Sequence, residues 1–555
     1  MRHLTAKARG SIYLVICAGT TAVIFCLAEI LNVGYYTHAD LLGPFSKLPV
    51  VFVSLAAVAA LAMSYAYRSS FRGNASMSRW SILLPPLVLL ILYLLFLPDA
   101  IESYYATNYY DVPAHMARAT YVLLNGKANV NIDSYFDMQP GVFFSTAMFV
   151  LVTGIGPQFI AKWFPLFFVV FAYVPAVALF GKLFFKNARE LAIFVFITLA
   201  IMWPPTRYHY SAQVYVLPLL LMLLAFIIRV RPARERLIVV VILSAGIIPT
   251  HQGGSLFALA MLASIVVFNG VERFVFHRTE RAGSMLGATM LFALMWASYL
   301  CWLATYAFGD FLGQLGHVAG VILSGIFSEI FSHAIMRPDA MYQLLVYGKV
   351  SFAMIIYLIS LPVLAYLWLK KGVRQSGALL LTILGTSSII FLLGFALGGI
   401  GYVERAVLVT APFLAIGLAF FASKLGMRNS HFLIAAMLIF LVVTGSALFN
   451  SSRNFQSWSY SEDASGQFMN VHDPSGALVY HNPRVSMPGC SYTETGTSIN
   501  LTPNHVTMLL PSCAIEGSYW MAAALDWVAL LHQAPTLGRI YSNGICSSYI
   551  VTWVA

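Results

Sequence analysis

The chain has 555 residues, of which 60% are hydrophobic and only 10% are charged, and its formal net charge is +11. Soluble domains are about 45–50% apolar, so this composition, with a mean hydropathy of +0.80, excludes an ordinary soluble enzyme. Basic loops beside anionic lipid account for the positive charge, and no nucleic-acid partner is predicted.

Apolar runs dominate the first 450 residues. A membrane-spanning helix needs roughly 20 consecutive apolar residues. The pattern therefore predicts an all-α polytopic membrane protein with about thirteen transmembrane helices, at about 11–31, 47–66, 81–98, 159–181, 190–204, 212–229, 236–250, 253–269, 285–307, 345–369, 376–399, 404–423 and 431–449.

The positions of Lys and Arg predict the orientation of these helices. Cytoplasmic loops are enriched in Lys and Arg, and seven alternate segments hold most of the 32 basic residues: 1–10, 67–79, 181–190, 229–236, 269–283, 370–375 and 423–430. We therefore expect a multi-pass protein of the cell membrane with a cytoplasmic amino terminus. Loops 99–158 and 308–344 and the tail after Asn450 are then extracytoplasmic.

Two domains are predicted. Residues 1–450 form the transmembrane domain, and its outer loop contains the short apolar run "PGVFFSTAMFVLVTG" at 140–154. A spanning helix there would move every later basic loop outward, so we expect a juxtamembrane helix instead. Residues 451–555 alternate turn signals with short β-type runs and one amphipathic segment, 518–533, which predicts a small extracytoplasmic α/β domain.

The outer loop carries an ionisable cluster in "NYYDVPAHMARATYVLLNG", which starts at Asn108. Asp111, His115 and Arg118 would share one face of a helix. Asp111 is either the cap of that helix or a carboxylate that accepts a proton from a hydroxyl nucleophile. His115 and Arg118 either make ordinary surface contacts or bind a phosphate.

Further ionisable residues fall at the predicted outer ends of other helices. Any one of them is typical of an interfacial anchor. Together they predict a site, because ionisable groups at a membrane edge are functional candidates. They are Arg207, His209 and Gln213 in "PPTRYHYSAQ", His251 and Gln252 in "PTHQGG", Glu404 and Arg405 in "GYVERAVLVT", and Lys349.

Four of these segments carry a resemblance. The loop motifs "YYDVPAHMARATYVLLNG" and "SYFDMQPGVFFSTAMFVLVTGIGP" look like the first outer loop of the GT-C superfamily of polytopic membrane glycosyltransferases, particularly its prokaryotic members. "WPPTRYHYSAQVYVLPLLLMLLA" and "ERAVLVTAPFLAIGLA" resemble later parts of that family. The resemblance implies sugar transfer from a polyprenyl-phosphate-linked donor to an acceptor glycan, lipid or protein, with inversion.

The resemblance also implies roles for residues. Asp111 matches the family's loop carboxylate, the catalytic base, and Arg405 matches its late basic residue. Donor-phosphate binding then falls to Arg405, Lys349, Arg118 and His115, and the remaining substrate-binding candidates are Arg207, His209, His251, Glu404 and Asp137.

The chain also departs from the family pattern. "MQPG" at 138–141 stands where family members often have His-Pro-Pro, which keeps Asp137 as a rival acid and leaves Glu102 and Asp133 open as well. Residues 11–66 add two predicted spans before the loop.

No cofactor is predicted, and a divalent metal held by Asp111, Asp133 and Asp137 is the alternative. Two other classes of function remain open at this point. One is a transporter or flippase of a lipid-linked or amphipathic substrate, which would favour ionisable residues at the middle of spans. The other is a non-catalytic envelope assembly protein, for which Asp111 would be dispensable.

Overall fold

Much of the helical part of the chain is described by a computed structural model. The described residues are 111–128, 138–201, 210–229, 233–275, 277, 283–305, 308, 309, 312, 313, 316, 320, 340–371, 373–397, 401–424, 478–481, 493, 494, 507–510, 537–542 and 547–551.

The described part of the chain is mostly helical. Twelve helices occur there: α1 (Asp111–Asn125), α2 (Gly141–Thr153), α3 (Pro157–Phe168), α4 (Val174–Gly181), α5 (Ala188–Ile201), α6 (Ala212–Arg229), α7 (Ala233–Ile247), α8 (Gln252–Phe274), α9 (Gly283–Trp302), α10 (Ala340–Leu369), α11 (Arg374–Leu397) and α12 (Gly401–Lys424). The helices predicted from 159 to 423 are confirmed as helices. The predicted spans 11–31, 47–66, 81–98 and 431–449 lie outside the described residues, so the total of thirteen stays a prediction.

Three of these helices are long and apolar enough to cross a membrane, judged over the described residues alone: Ala212–Arg229, Gln252–Phe274 and Met285–Trp302. The short run predicted as a juxtamembrane element forms α2, which has 13 residues. Gly154 ends α2 with φ of 72°, and its N–H donates to the carbonyl of Val150. This left-handed conformation suits glycine.

The last three helices form a tightly packed group. Both α10 and α11 pack on α12, which also packs on α5. Gly417 of α12 lies so close to Ser360 of α10 that an added Cβ would be 2.9 Å from the Ser360 backbone. Small residues at such contacts let helix backbones approach each other, which is how helices associate in lipid.

Hydroxyl groups join the same three helices at mid-length. The Tyr357 hydroxyl lies 2.9 Å from Ser387 Oγ and 2.7 Å from Thr410 Oγ1, and Ser360 Oγ donates to the Leu414 carbonyl. Interhelical hydrogen bonds within membranes contribute about 0.6 kcal/mol each on average. These bonds therefore fix the register of α10, α11 and α12 more than they add to stability.

A single turn of π-helix, called the π-turn below, separates α3 from α4. Residues Val169–Tyr173 form five residues of π-helix, and the N–H of Val174 bonds to the Val169 carbonyl. The predicted single span at 159–181 is therefore an irregular helix. Tyr173 is fully buried, whereas Phe171 is largely exposed.

Five strands are described in the tail: β1 (Leu478–His481), β2 (Thr493–Glu494), β3 (Thr507–Leu510), β4 (Leu537–Ser542) and β5 (Ser547–Val551). They form one sheet in the order β2-β1-β3-β5-β4. The β1 strand pairs in parallel with β2 and β3, whereas β5 is antiparallel to β3 and β4. The amphipathic segment 518–533 lies outside the described residues, so the α/β domain at 451–555 stays a prediction.

Candidate functional site at one end of the helix bundle

The first described helix, α1, begins at Asp111 and contains all three ionisable residues of the predicted cluster. Asp111 is the first residue of α1, which packs against α2. The buried residues of α1 recur every three or four positions, as expected for a helix with one packed face: Val112, His115, Met116, Ala119 and Val122. His115 is thus on the packed face and 3% exposed, while Arg118 is half-buried.

His115 lies between aromatic residues of two other segments. The centroid of its ring is 5.7 Å from that of Phe143 in α2 and 6.4 Å from that of Tyr210, which lies just before α6. The Tyr210 hydroxyl lies 2.6 Å from Thr146 Oγ1 of α2. Burial raises the pKa of Tyr210, so this hydroxyl stays protonated and available for hydrogen bonding.

The segment "MQPG" at 138–141 joins α2 to the ends of other helices. The Tyr299 hydroxyl of α9 donates to the Met138 carbonyl at 2.7 Å. Gln139 Oε1 accepts from the backbone N–H of Gln252, the first residue of α8. The N–H of Gly141 donates to the Pro249 carbonyl at 2.8 Å. Three hydrogen bonds thus hold the segment 138–141 against α8, α9 and the turn between α7 and α8.

Gly141 allows this approach because it has no side chain. A Cβ there would lie 2.5 Å from Thr250 Oγ1 and 3.0 Å from the Pro249 carbonyl oxygen. We expect Gly141→Ala to lower the midpoint of thermal unfolding, because α2 would have to move away from the turn between α7 and α8. Gly287→Ala in α9 is the matched control, since a Cβ there meets nothing within 4 Å. A midpoint lowered equally in both variants would contradict this packing.

Two helices begin side by side at this end of the bundle. His251 caps α8, with its Nδ1 accepting from the Gly254 N–H at 2.8 Å. Ser211 Oγ accepts from the Val214 N–H in the first turn of α6. A Cβ on Gly254 would lie 2.7 Å from Val216 Cγ1, so the first turns of α6 and α8 are in close contact.

The helix directions bring α10 and α12 to the same end. Trp368 Nε1, near the end of α10, donates to Glu272 Oε1, near the end of α8, at 2.7 Å. The amino termini of α8 and α10 therefore lie at the same end. Because α11 follows α10 after a short turn and α12 follows α11, α12 also begins there.

The backbone positions of Lys349 in α10 and Arg405 in α12 lie at similar heights along the helix axes. Tyr357 and Thr410 are hydrogen-bonded to each other. At 1.5 Å per residue, Lys349 lies about 12 Å before Tyr357 along α10, and Arg405 about 7.5 Å before Thr410 along α12. The two positions thus differ in height by about one helical turn, and Glu404 precedes Arg405 in the first turn of α12.

The structure thus brings several predicted positions to one end of the bundle. His115, Arg118, His251 and the backbone positions of Asp111, Lys349, Glu404 and Arg405 are described. Asp133, Asp137, Arg207 and His209 lie outside the described residues. The roles of all these residues stay predictions.

Sequence reasoning missed three members of the cluster: Gln139, Thr146 and Tyr210. The signals for two of them were present. Gln139 lies in "MQPG", which departs from the family pattern, and Tyr210 lies within the motif "RYHYSAQ". Within the described ranges, no three His, Cys, Asp or Glu residues are grouped as metal ligands.

No family model matches the sequence, and no curated protein matches it significantly. The fold is similar to that of several solved structures, among them the following two. The oligosaccharyltransferase of Archaeoglobus fulgidus in the apo form is 11% identical, with a TM-score of 0.53 over 85% of this chain and 74% of that chain. ArnT from Cupriavidus metallidurans bound to undecaprenyl phosphate is 11% identical, with a TM-score of 0.50 over 86% of this chain and 99% of that chain.

Both similar proteins are GT-C membrane glycosyltransferases, so the resemblance predicted from the sequence is confirmed at the level of fold. The apolar helices agree with that fold. The chain is therefore an integral membrane protein with the GT-C fold.

Proposed function

We propose that the protein is a membrane glycosyltransferase that transfers a sugar from a polyprenyl-phosphate-linked donor to an acceptor glycan, lipid or protein at the extracytoplasmic membrane–water interface. The observation that carries this proposal is the GT-C fold, shared over 86% of this chain with a transferase bound to undecaprenyl phosphate. The amino termini of α6, α8, α10 and α12 lie at one end of the bundle, and this arrangement supports the proposal.

Asp111 is the proposed general base. The acceptor hydroxyl attacks the anomeric carbon of the sugar, and its proton passes to the Asp111 carboxylate. A bond forms between the acceptor oxygen and the anomeric carbon, while the bond from that carbon to the phosphate oxygen breaks. The polyprenyl phosphate leaves with the electron pair, and attack from the opposite face inverts the configuration.

The departing phosphate needs positive charge where its own charge develops. We assign this role to Arg405, Lys349 and Arg118. The backbone levels of Lys349 and Arg405, about one helical turn apart, support a shared role. His115 is almost fully buried between Phe143 and Tyr210, and we therefore propose that it positions α1 beside the phosphate and that Arg118 makes the contact.

The remaining candidates are assigned to the sugar and the acceptor: Arg207, His209, His251, Glu404 and Asp137. Of these, His251 is described most fully. Because its Nδ1 accepts from Gly254, the ring carries a proton on Nε2 and can donate from there. The segment 138–141 lies next to this donor, because Gln139 accepts from the Gln252 N–H and the Gly141 N–H donates to Pro249.

Sugar transfer can be tested with the purified protein in lipid nanodiscs. We expect transfer from an undecaprenyl-phosphate-linked sugar to an acceptor, measured by mass spectrometry of the product, with free undecaprenyl phosphate released in equal amount. We also expect an excess of chelator to leave the rate unchanged, since the proposed mechanism uses no metal. Movement of lipid-linked sugar across liposomes without any transfer would contradict the proposal and favour a flippase.

A further inference from the structure

The adjacent amino termini of α6 and α8 create a region of partial positive charge at this end of the bundle. The first backbone N–H groups of a helix lack intrahelical acceptors, and the helix dipole places partial positive charge there. Such ends bind phosphates and other anions. The helices have 18 and 23 residues, and the contact between Gly254 and Val216 places their first turns together.

Gln139 presents a buried hydrogen-bond donor at the start of α8. A backbone N–H can only donate, so the Gln139 atom that faces the N–H of Gln252 is the oxygen. The amide nitrogen Nε2 is then left beside the same helix end. It is buried, and it has no hydrogen-bond partner among the described residues. The whole Gln139 residue is 3% exposed.

Gln213 supplies a second donor of the same kind. It is the second residue of α6, and it lies three residues before Val216, the residue that touches Gly254. Its Nε2 is also buried, and no residue in the described part of the chain accepts a hydrogen bond from it. Buried polar groups are nearly always paired in native proteins, so two unsatisfied amides at adjoining helix starts point to a missing acceptor.

We propose that the amide nitrogens of Gln139 and Gln213, in the field of the helix dipoles at the starts of α6 and α8, bind the phosphate oxygens of the polyprenyl-phosphate donor. This inference rests on the proposed function and adds uncharged donors to the cationic residues assigned above. Both amide nitrogens donate only, and both helix dipoles favour negative charge. A phosphate oxygen accepts several hydrogen bonds and carries that charge.

The two amides would have a different role from Arg405. Neutral donors bind the phosphate throughout the reaction and do not follow its growing charge as closely as a cation does. Removing them should therefore weaken binding of the donor more than it slows the chemical step. This difference separates the two groups of residues by experiment.

The test uses Gln139→Glu and Gln213→Glu. Each change keeps the size of the side chain and one acceptor oxygen but replaces the amide donor by a carboxylate oxygen. In Gln139→Glu the remaining oxygen preserves the bond from the Gln252 N–H. Gln375→Glu in the first turn of α11 is the matched control, because the Trp368–Glu272 contact places it at the opposite end of the bundle. Binding of undecaprenyl phosphate to each full-length variant in nanodiscs is measured together with thermal unfolding.

We expect each of the two changes to weaken undecaprenyl phosphate binding about tenfold or more, the loss expected when one hydrogen bond to a charged group is removed. A buried carboxylate costs stability by itself, so binding is measured at temperatures below the unfolding midpoint of each variant, and the control should bind normally. Unchanged binding in both variants would overturn the proposal. So would an equal loss of binding in Gln375→Glu, which indicates a general effect of the added negative charge.

Three further outcomes separate this site from the proposed function. Weaker binding of a lipid-linked sugar with unchanged binding of undecaprenyl phosphate would assign the amides to the sugar and overturn the phosphate site. Glutamine-dependent binding of undecaprenyl phosphate by a protein that transfers no sugar would support the site and contradict the transferase. Sugar transfer unaffected by both changes would support the transferase and contradict the site.

Discussion

Replacing Asp111 by asparagine is expected to reduce sugar transfer by about 10²–10⁴-fold, the usual contribution of a general base. Asparagine keeps the size of the side chain but cannot accept the acceptor's proton. The loss should appear in kcat, because proton transfer belongs to the chemical step, while binding of undecaprenyl phosphate should be preserved. Initial rates with a lipid-linked donor at several concentrations give both quantities.

Three variants control this experiment. Asp133→Asn and Asp137→Asn test the rival acids of the same loop, and Glu190→Gln changes an acid in the first turn of α5. We expect Glu190→Gln to keep full activity. If Asp137→Asn abolishes transfer while Asp111→Asn does not, the base is Asp137 and the assignment of Asp111 is wrong.

Arg405→Gln is expected to have the second largest effect, a decrease in kcat of about 10²–10³-fold, as for the loss of one preorganised donor to a developing oxyanion. The guanidinium would stabilise the phosphate as it departs, so the loss should exceed any change in substrate affinity. The rate should be measured under single-turnover conditions, so that slow product release does not hide the chemical step.

Lys424→Gln provides the control for Arg405. Lys424 is the last residue of α12, whose first turn contains Arg405, so both variants remove one positive charge from the same helix. A normal rate in the Arg405 variant, or an equal loss in both variants, would remove Arg405 from the mechanism. In that case Lys349 would become the leading candidate, since it lies at a neighbouring level on α10.

Apolar run length predicted most of the described helices well. The predicted 212–229 coincides with α6, and the short run at 140–154 forms α2, because both features are written in consecutive residues. The π-turn at Val169–Tyr173 could not be predicted, since its five residues are as apolar as their neighbours. The pairing of β1 with β3 joins separate parts of the tail, and no local pattern encodes it.

The candidate site was predictable in its position and incompletely in its members. Charge alternation placed several ionisable residues at one end of the helices, and the helix directions agree. The contact between Gln139 and Gln252 spans 113 residues, so only the folded chain reveals it. The burial of His115 was also open, because Asp111, His115 and Arg118 share one face by spacing, and spacing does not say whether that face meets protein or solvent.

The π-turn between α3 and α4 has a consequence for comparing related sequences. A π-turn amounts to one residue inserted into an α-helix, and each residue of an α-helix advances about 100° around the axis. The face that packs in α3 is therefore out of phase with the face that packs in α4. An alignment with a relative whose helix is regular here needs a one-residue gap within 169–173, and without it positions that contact lipid would be matched to positions inside the bundle.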